Sequence, residues 1–464
     1  MVFSSLPFLY LFLPAVLSVY YVTPRRFRNA VLLVFSLLFY FYGERAYTVL
    51  LILSSLSDFT FSLLIERCRG TKKAKGLLIA AIAVSLAMLG FFKYIDFFIT
   101  TANSLFDSQI PLLKVPLPIG ISFFTFQTMS YTVDVYRGRV RAQANLITFA
   151  TYVCLFPQLV AGPVVRYSEI SRELENRRER TAGIAAGIRR FCFGLMKKVW
   201  IANAMGSLVE TFRASGERTV LFYWLYAFAF TFQLYFDFSG YSDMAIGLGR
   251  MFGFHFPENF NYPYISRSVT EFWRRWHMTL GSWFRDYVYI PMGGNRVSGA
   301  RWLLNIAVVW MLTGLWHGAD WNFILWGIMM AVMLVLEKFL LGKLLGRVWR
   351  GVAHLYTMFV IILSFVLFNG AGLAGAWADI TGLFGAGVTG LAGAESLYYL
   401  RSFGWIFLIA AFCSTPLLKK LGDAKLRANS RWTLIEPALA ALILILVTAN
   451  LVDGSFNPFI YFRF

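Results

Sequence analysis

"WLLNIAVVWMLTGLWHGADWNFILWGIMMAVMLVLEKFLL", residues 302–341, holds two apolar runs separated by the turn "HGAD" at 317–320. Neither run alternates as a strand would, so each is predicted as a helix, near 302–317 and 321–341. Arg296 and Arg301 precede this hairpin, and Lys338, Lys343 and Arg347 close it. Short loops rich in Lys and Arg stay in the cytoplasm. Both ends of the hairpin are therefore predicted on that side, with the turn deep in the membrane or at its outer face. Gly314, Gly318 and Gly327 permit close approach of the two backbones. A titratable ring at such a tip, His317, is costly to place and marks a candidate functional site.

The rest of the chain agrees with a membrane reading. Of 464 residues, 58% are hydrophobic and 14% charged, whereas soluble domains are about 25% charged. Apolar runs long enough to cross about 30 Å of hydrocarbon recur along the length. The short alternating segments of a β-barrel are absent. The fold class is all-α: a polytopic helical membrane protein of about eleven segments. The formal charge of +19 sits in short loops between apolar runs, which excludes a nucleic-acid-binding patch. Cys68, Cys154, Cys192 and Cys413 are far apart and read as ordinary thiols, with no disulfide framework and no metal site.

Basic clusters set the topology. "TPRRFRN" (23–29), "ERCRGTKKAKG" (66–76) and "YRGRVRAQ" (136–143) each follow an apolar run. Crossings are predicted near 5–22, 29–43, 46–65, 77–99 and 116–136, with both termini outside the cytoplasm. The first run lacks a basic n-region and reads as a retained helix. "ITFATYVCLFPQLVAGPVV" (147–165) has basic flanks on both sides and is broken by Pro157, Gly162 and Pro163. It is predicted to be re-entrant and buried in protein, where irregular backbone is tolerated. Further crossings are expected near 191–212, 219–239, 351–369, 402–418 and 432–451. The Gly/Ala-rich stretch 370–397 reads as an outer-surface helix. Without internal repeats or linkers, residues 1–464 form one domain, whose chemistry-bearing part runs from about 116 to 341.

"SVTEFWRRWHMTLGSWFRDYVYIPMGGNR" (268–296) carries the densest signal. Ser268 and Glu271 have capping-box spacing, so a helix should start there and end before Pro291. On one continuous helix Trp273, His277, Leu280 and Phe284 would share a face. Arg274, Arg275, Arg285 and Asp286 would lie off it. The arginines either snorkel to headgroups or grip a phosphate-bearing donor. His277 is either a hydrogen-bonded structural residue or part of a site. In "YFDFSGYSDMAIGLG" (235–249), Asp237, Ser239, Tyr241 and Asp243 interrupt an apolar run. They either satisfy a broken helix, line a cavity or bind a cation.

These residues resemble the membrane-bound O-acyltransferase family. "LVAGPVVRY" (159–167), "SGYSDMAIGLGRMFGF" (239–254), "NFNYPYISRSVTEFWRRWHMTLGSWFRDYVYIPMGGNR" (259–296), "LTGLWHGADWNFILWG" (312–327) and "NPFIYF" (457–462) carry the likeness. "YIPMGGNR" favours the alginate and peptidoglycan O-acetyltransferase branch over the teichoic acid D-alanyl transferases, which share the histidines. The resemblance implies helices around a central funnel or tunnel. It implies His317 and His277 as the catalytic pair. Trp273, Arg274, Arg275, Trp276, Asp286, Trp316, Asn322, Asp237 and Tyr241 are candidates for substrate binding. No bound cofactor and no metal is implied. The donor would be acetyl-CoA or another acyl thioester. The acceptor would be an extracytoplasmic polysaccharide, reached through a secreted or membrane-anchored SGNH-type partner. The location would be the bacterial inner membrane, among lipid. A transporter or flippase would instead show inverted repeats, and a scaffold would leave the two histidine motifs without use.

Overall fold

A computed structural model describes residues 1–420, 432–453 and 459–460. The described residues form helices, loops and one isolated backbone bridge, Thr219 to Gly390, with no strand among them. Among the described residues five helices are long and apolar enough to cross a membrane: Tyr47–Arg67, Lys72–Phe106, Trp321–Leu345, Arg350–Phe368 and Ala394–Cys413. Phe8–Val22 is a shorter apolar helix. This is an integral membrane protein of helical class.

The chain divides into two compact units. One comprises Met1–Phe191 with Tyr241–Pro257, the other Cys192–Gly240 with Glu258–Phe464. The 32-residue helix Val220–Met251 contributes to both. That helix runs twelve residues past the expected end at 239. The polar run 235–249 therefore does not break it. A helix satisfies its own backbone whatever side chains it carries.

In the first unit the segment expected to be re-entrant is buried and irregular. Helix Leu146–Cys154 stops at Leu155, and a single turn, Phe156–Leu159, follows. Pro157 starts that turn rather than breaking a helix, because proline lacks only an N–H that the first turn leaves unused anyway. Phe156 packs among Phe12, Phe39 and Phe252 at 5.3–5.8 Å between ring centroids. A buried polar cluster closes the unit: Arg28 pairs with Glu179 at 2.7 Å, and Arg177 donates to Tyr20 Oη at 2.8 Å and to Asn29 Oδ1 at 2.6 Å.

In the second unit the hairpin is Gly299–His317 and Trp321–Leu345. Its glycines decide its spacing. A Cβ on Gly314 would stand 2.2 Å from the Phe323 carbonyl oxygen, and one on Gly327 2.3 Å from that of Trp310. No other residue fits either place. Asp320 caps the second helix, accepting from Trp321 N.

The expected continuous helix over 268–290 is two helices, Val269–Arg275 and Met278–Phe284, followed by the wider turns Arg285–Tyr289. The break falls at Trp276–His277, where His277 has φ +43°. Trp273, His277, Leu280 and Phe284 thus share no common helical face. The start agrees with expectation: Ser268 Oγ accepts from Glu271 N at 2.9 Å. Glu271 reaches back to Arg267 N instead of Ser268 N. The sequence also hid a second cap. Buried Glu337, on the neighbouring hairpin helix, accepts from Val269 N, Thr270 N and Thr270 Oγ1 at 2.5–2.8 Å. A carboxylate is favoured at a helix N-terminus, where unpaired N–H groups gather.

Residues 370–397 contain the helix Gly372–Gly382, a loop, and the start of the helix Ala394–Cys413. Between the last two expected crossings, residues 421–431 lie outside the described residues, as does most of "NPFIYF".

Candidate active site

His317 ends its helix and is 6% exposed. Aromatic rings present themselves to it, among them Trp316 at 5.0 Å, Phe368 at 5.2 Å and Trp326 at 5.3 Å between centroids. All three contacts are edge-to-face. They hold the imidazole between the two hairpin helices and the end of Arg350–Phe368. Asn322 secures this wall, its Nδ2 donating to the carbonyls of Phe368 and Gly370 at 3.1 and 3.2 Å. Beyond Phe368, Asn369 lines a cavity of about 490 Å³ together with Val209, Glu210, Arg213 and Ala214. There Arg213 is held by Asp379 at 2.6 Å.

The His277 ring also meets Trp316, at 5.8 Å, and Phe238 at 4.7 Å. A non-glycine residue in the left-handed region costs roughly 1–2 kcal/mol. Backbone pairing compensates: Met278 N donates to Asn259 O, and Asn261 N to Arg275 O, both at 2.9 Å. His277 Nδ1 faces Asn259 Oδ1 at 3.1 Å. Burial pushes its pKa down to about 3, so the ring is neutral.

Buried polar atoms gather here. His277 Nε2, Asn259 Nδ2, Trp273 Nε1, Trp326 Nε1 and Asn322 Oδ1 have no hydrogen-bond partner among the described residues. Such groups are rare in interiors and mark places where a polar ligand or water is expected. Trp326 packs on Trp273 at 5.4 Å and on Trp310 at 6.1 Å.

The other sequence candidates divide. Trp273 and Trp316 belong to this cluster. Trp276 is a core residue, 3% exposed, against Phe260, Phe365 and Phe272 at 5.1–5.5 Å. Arg275 is held by Glu271 at 2.9 Å and by the Asn261 carbonyl at 3.1 Å, whereas Arg274 is exposed. Asp286 pairs with Arg285 at 2.7 Å. Asp237 is buried against Lys198 at 2.6 Å and accepts from Ile460 N at 2.7 Å. Tyr241 belongs to the other unit, where it stacks on Phe3 at 4.7 Å. Sequence reasoning missed Trp326, Asn259 and Phe368. Two of them stand inside quoted motifs, "NFNYPY" and "NFILWG", but nothing in their spacing marks them as site residues. No group of three or more His, Cys, Asp or Glu residues with metal-binding geometry occurs among the described residues.

A polytopic helical chain with a buried histidine at a hairpin tip, and a second buried histidine against the same tryptophan, is compatible with a membrane acyltransferase. The chain matches the membrane-bound O-acyltransferase family over residues 29–374 and belongs to that family. It is an O-acyltransferase. Similar proteins include the probable alginate O-acetylase AlgI of Azotobacter vinelandii, 37% identical over the whole of both chains. The probable alginate O-acetylase of Pseudomonas aeruginosa is 42% identical over 83% of this chain and 75% of its own. The peptidoglycan O-acetyltransferase of Helicobacter pylori is 33% identical over 83% and 80%.

Proposed function

We propose that this enzyme moves an acetyl group from a cytoplasmic thioester, acetyl-CoA, to a hydroxyl acceptor on the outer side, for O-acetylation of a polysaccharide. One observation carries the reading. His317 is enclosed at the tip of an apolar hairpin among Trp316, Trp326 and Phe368, and the Trp326 N–H has no hydrogen-bond partner among the described residues. The relatives named for alginate and peptidoglycan acetylation support the acceptor class.

His317 acts as general base. Its ring nitrogen takes the proton of the acceptor hydroxyl as the oxygen attacks the thioester carbonyl carbon. A C–O bond forms, and the carbonyl electron pair moves onto oxygen. The Trp326 N–H is the donor at hand for that oxyanion. When the intermediate collapses, the C–S bond breaks and the thiolate takes the proton back from the imidazolium. Aromatic walls exclude water and so limit hydrolysis.

Charge orients the site. The segment 253–301 is cytoplasmic by its arginines, which brings a nucleotide-bearing donor to that face. Of Arg274 and Arg275, Arg274 is the exposed one and the better placed for a phosphate. The helix ends at residues 214, 220 and 368 fall on the opposite side by the same rule, which makes the cavity beside Asn369 the acceptor's approach. An SGNH-type partner presents the hydroxyl and relays the acetyl group to sugar. The enzyme sits in the bacterial inner membrane with both termini outside. The test is His317→Ala at wild-type membrane abundance, read as polysaccharide acetyl content. Loss of acetylation is expected, and wild-type acetylation refutes the assignment.

A further inference from the structure

The second histidine presents its site with a lone pair instead of a charge. Asn259 Oδ1 receives three contacts: Thr279 Oγ1 at 2.9 Å, His277 Nδ1 at 3.1 Å and Thr279 N at 3.3 Å. A backbone N–H can only donate. The Asn259 atom facing Thr279 N is therefore the carbonyl oxygen, and the orientation of the amide follows. An acceptor oxygen facing His277 Nδ1 requires that Nδ1 carry the proton. In a neutral ring the other nitrogen, Nε2, is then a bare acceptor. His277 is 3% exposed and Asn259 1%, and Nε2 has no partner among the described residues.

We propose that Asn259 is a positioning residue that locks His277 as the Nδ1–H tautomer, so that Nε2 accepts a hydrogen bond from an amide N–H of the thioester donor's arm. This rests on the proposed acetyl-thioester donor and deepens it. A neutral acceptor offers nothing to a phosphate or a carboxylate, which need donors. It suits the N–H of the pantetheine amide nearest the thioester. Both histidine rings touch Trp316, at 5.8 and 5.0 Å between centroids, which puts such an amide a short arm away from an acetyl group over His317. The αL backbone at His277 turns the ring off the helix that precedes it, and it explains why a helical sequence breaks there.

Two measurements test this on the full-length protein. The chain has four histidines, so imidazole ¹⁵N spectra of histidine-labelled enzyme resolve each ring. His277→Asn assigns the signal, because asparagine tolerates the left-handed backbone. The expected spectrum has a protonated Nδ1 and a bare Nε2. Asn259→Leu should mix the tautomers, while Thr279→Val, which keeps the backbone contact, should not. A protonated Nε2 in the wild-type enzyme overturns the proposal.

The second measurement compares acetyl-pantetheine with an analogue whose amide N–H nearest the thioester is replaced by oxygen. One neutral hydrogen bond corresponds to up to about tenfold in donor KM. The wild-type enzyme should favour the amide by that factor, and Asn259→Leu and His277→Asn should show no preference. Equal use of both donors by the wild-type enzyme overturns the ligand assignment, and a fall in kcat at saturating donor with unchanged donor KM transfers the hydrogen bond to the acceptor hydroxyl. A chain that turns over acetyl thioester equally well with and without His317 refutes the proposed function, separately from either result.

Discussion

Gly327→Ala examines how far the spacing of the hairpin governs the chemistry. A Cβ at residue 327 lies 2.3 Å from the Trp310 carbonyl oxygen and 3.5 Å from Gly314 Cα. Ordinary carbon-to-carbonyl contacts begin at about 3.3 Å, so the helices must part by about 1 Å. Both neighbours are helix backbone, and neither can swing aside. Forcing a methyl group into such a contact costs roughly 1–3 kcal/mol. The kinetic effect should be larger than the loss of stability. Trp326 directly precedes Gly327 on one helix, and His317 lies one turn beyond Gly314 on the other. A displacement of about 1 Å between catalytic groups can cost about 10²-fold in rate. Acetyl content should therefore fall by about that factor at equal membrane abundance. Gly299→Ala is the control: it starts the same hairpin, and a Cβ there meets nothing within 4 Å. It should acetylate normally. Wild-type acetylation by Gly327→Ala would refute the claim that hairpin spacing sets the site.

Trp326→Phe keeps an aromatic wall but removes the indole N–H, and should lower kcat by about 10²-fold with little change in donor KM; a loss seen only in KM removes Trp326 from the reaction. Lys198→Met leaves the Asp237 carboxylate buried without its cation and should destabilise the protein by about 3–5 kcal/mol. Thermal unfolding in detergent checks this, and an unchanged midpoint contradicts it. Reporters fused within 66–76 and at residue 464 should report opposite sides of the membrane, and the same side for both would overturn the proposed topology.

Much of this protein was legible in its sequence for one reason: lipid leaves few choices. Every spanning segment must satisfy its own backbone, so apolar length and loop charge are enough to announce helices. The hairpin with Gly314 and Gly327, the Ser268 cap and the buried irregular segment after residue 146 all follow from local rules. His317 stood out because a titratable ring in apolar surroundings is rare. Where local rules compete with tertiary contacts, the sequence was a poor guide. The pattern around 268–290 reads as one helix, yet backbone pairing with residues 259–261 divides it at His277, and a cap from Glu337, 68 positions away, holds its start. The polar run from Asp237 reads as a broken helix, a cavity lining or a cation site, yet Lys198 and Ile460 satisfy Asp237 and the helix continues. Trp326, Phe368 and Asn259 acquire their roles only when distant segments meet. Periodicity and charge along the chain determined that this is a helical membrane protein with a histidine at a hairpin tip. Which groups face that histidine, and in which protonation state its companion is held, was decided by tertiary packing, because a hydrogen-bond partner is a matter of position in space rather than of spacing along the chain.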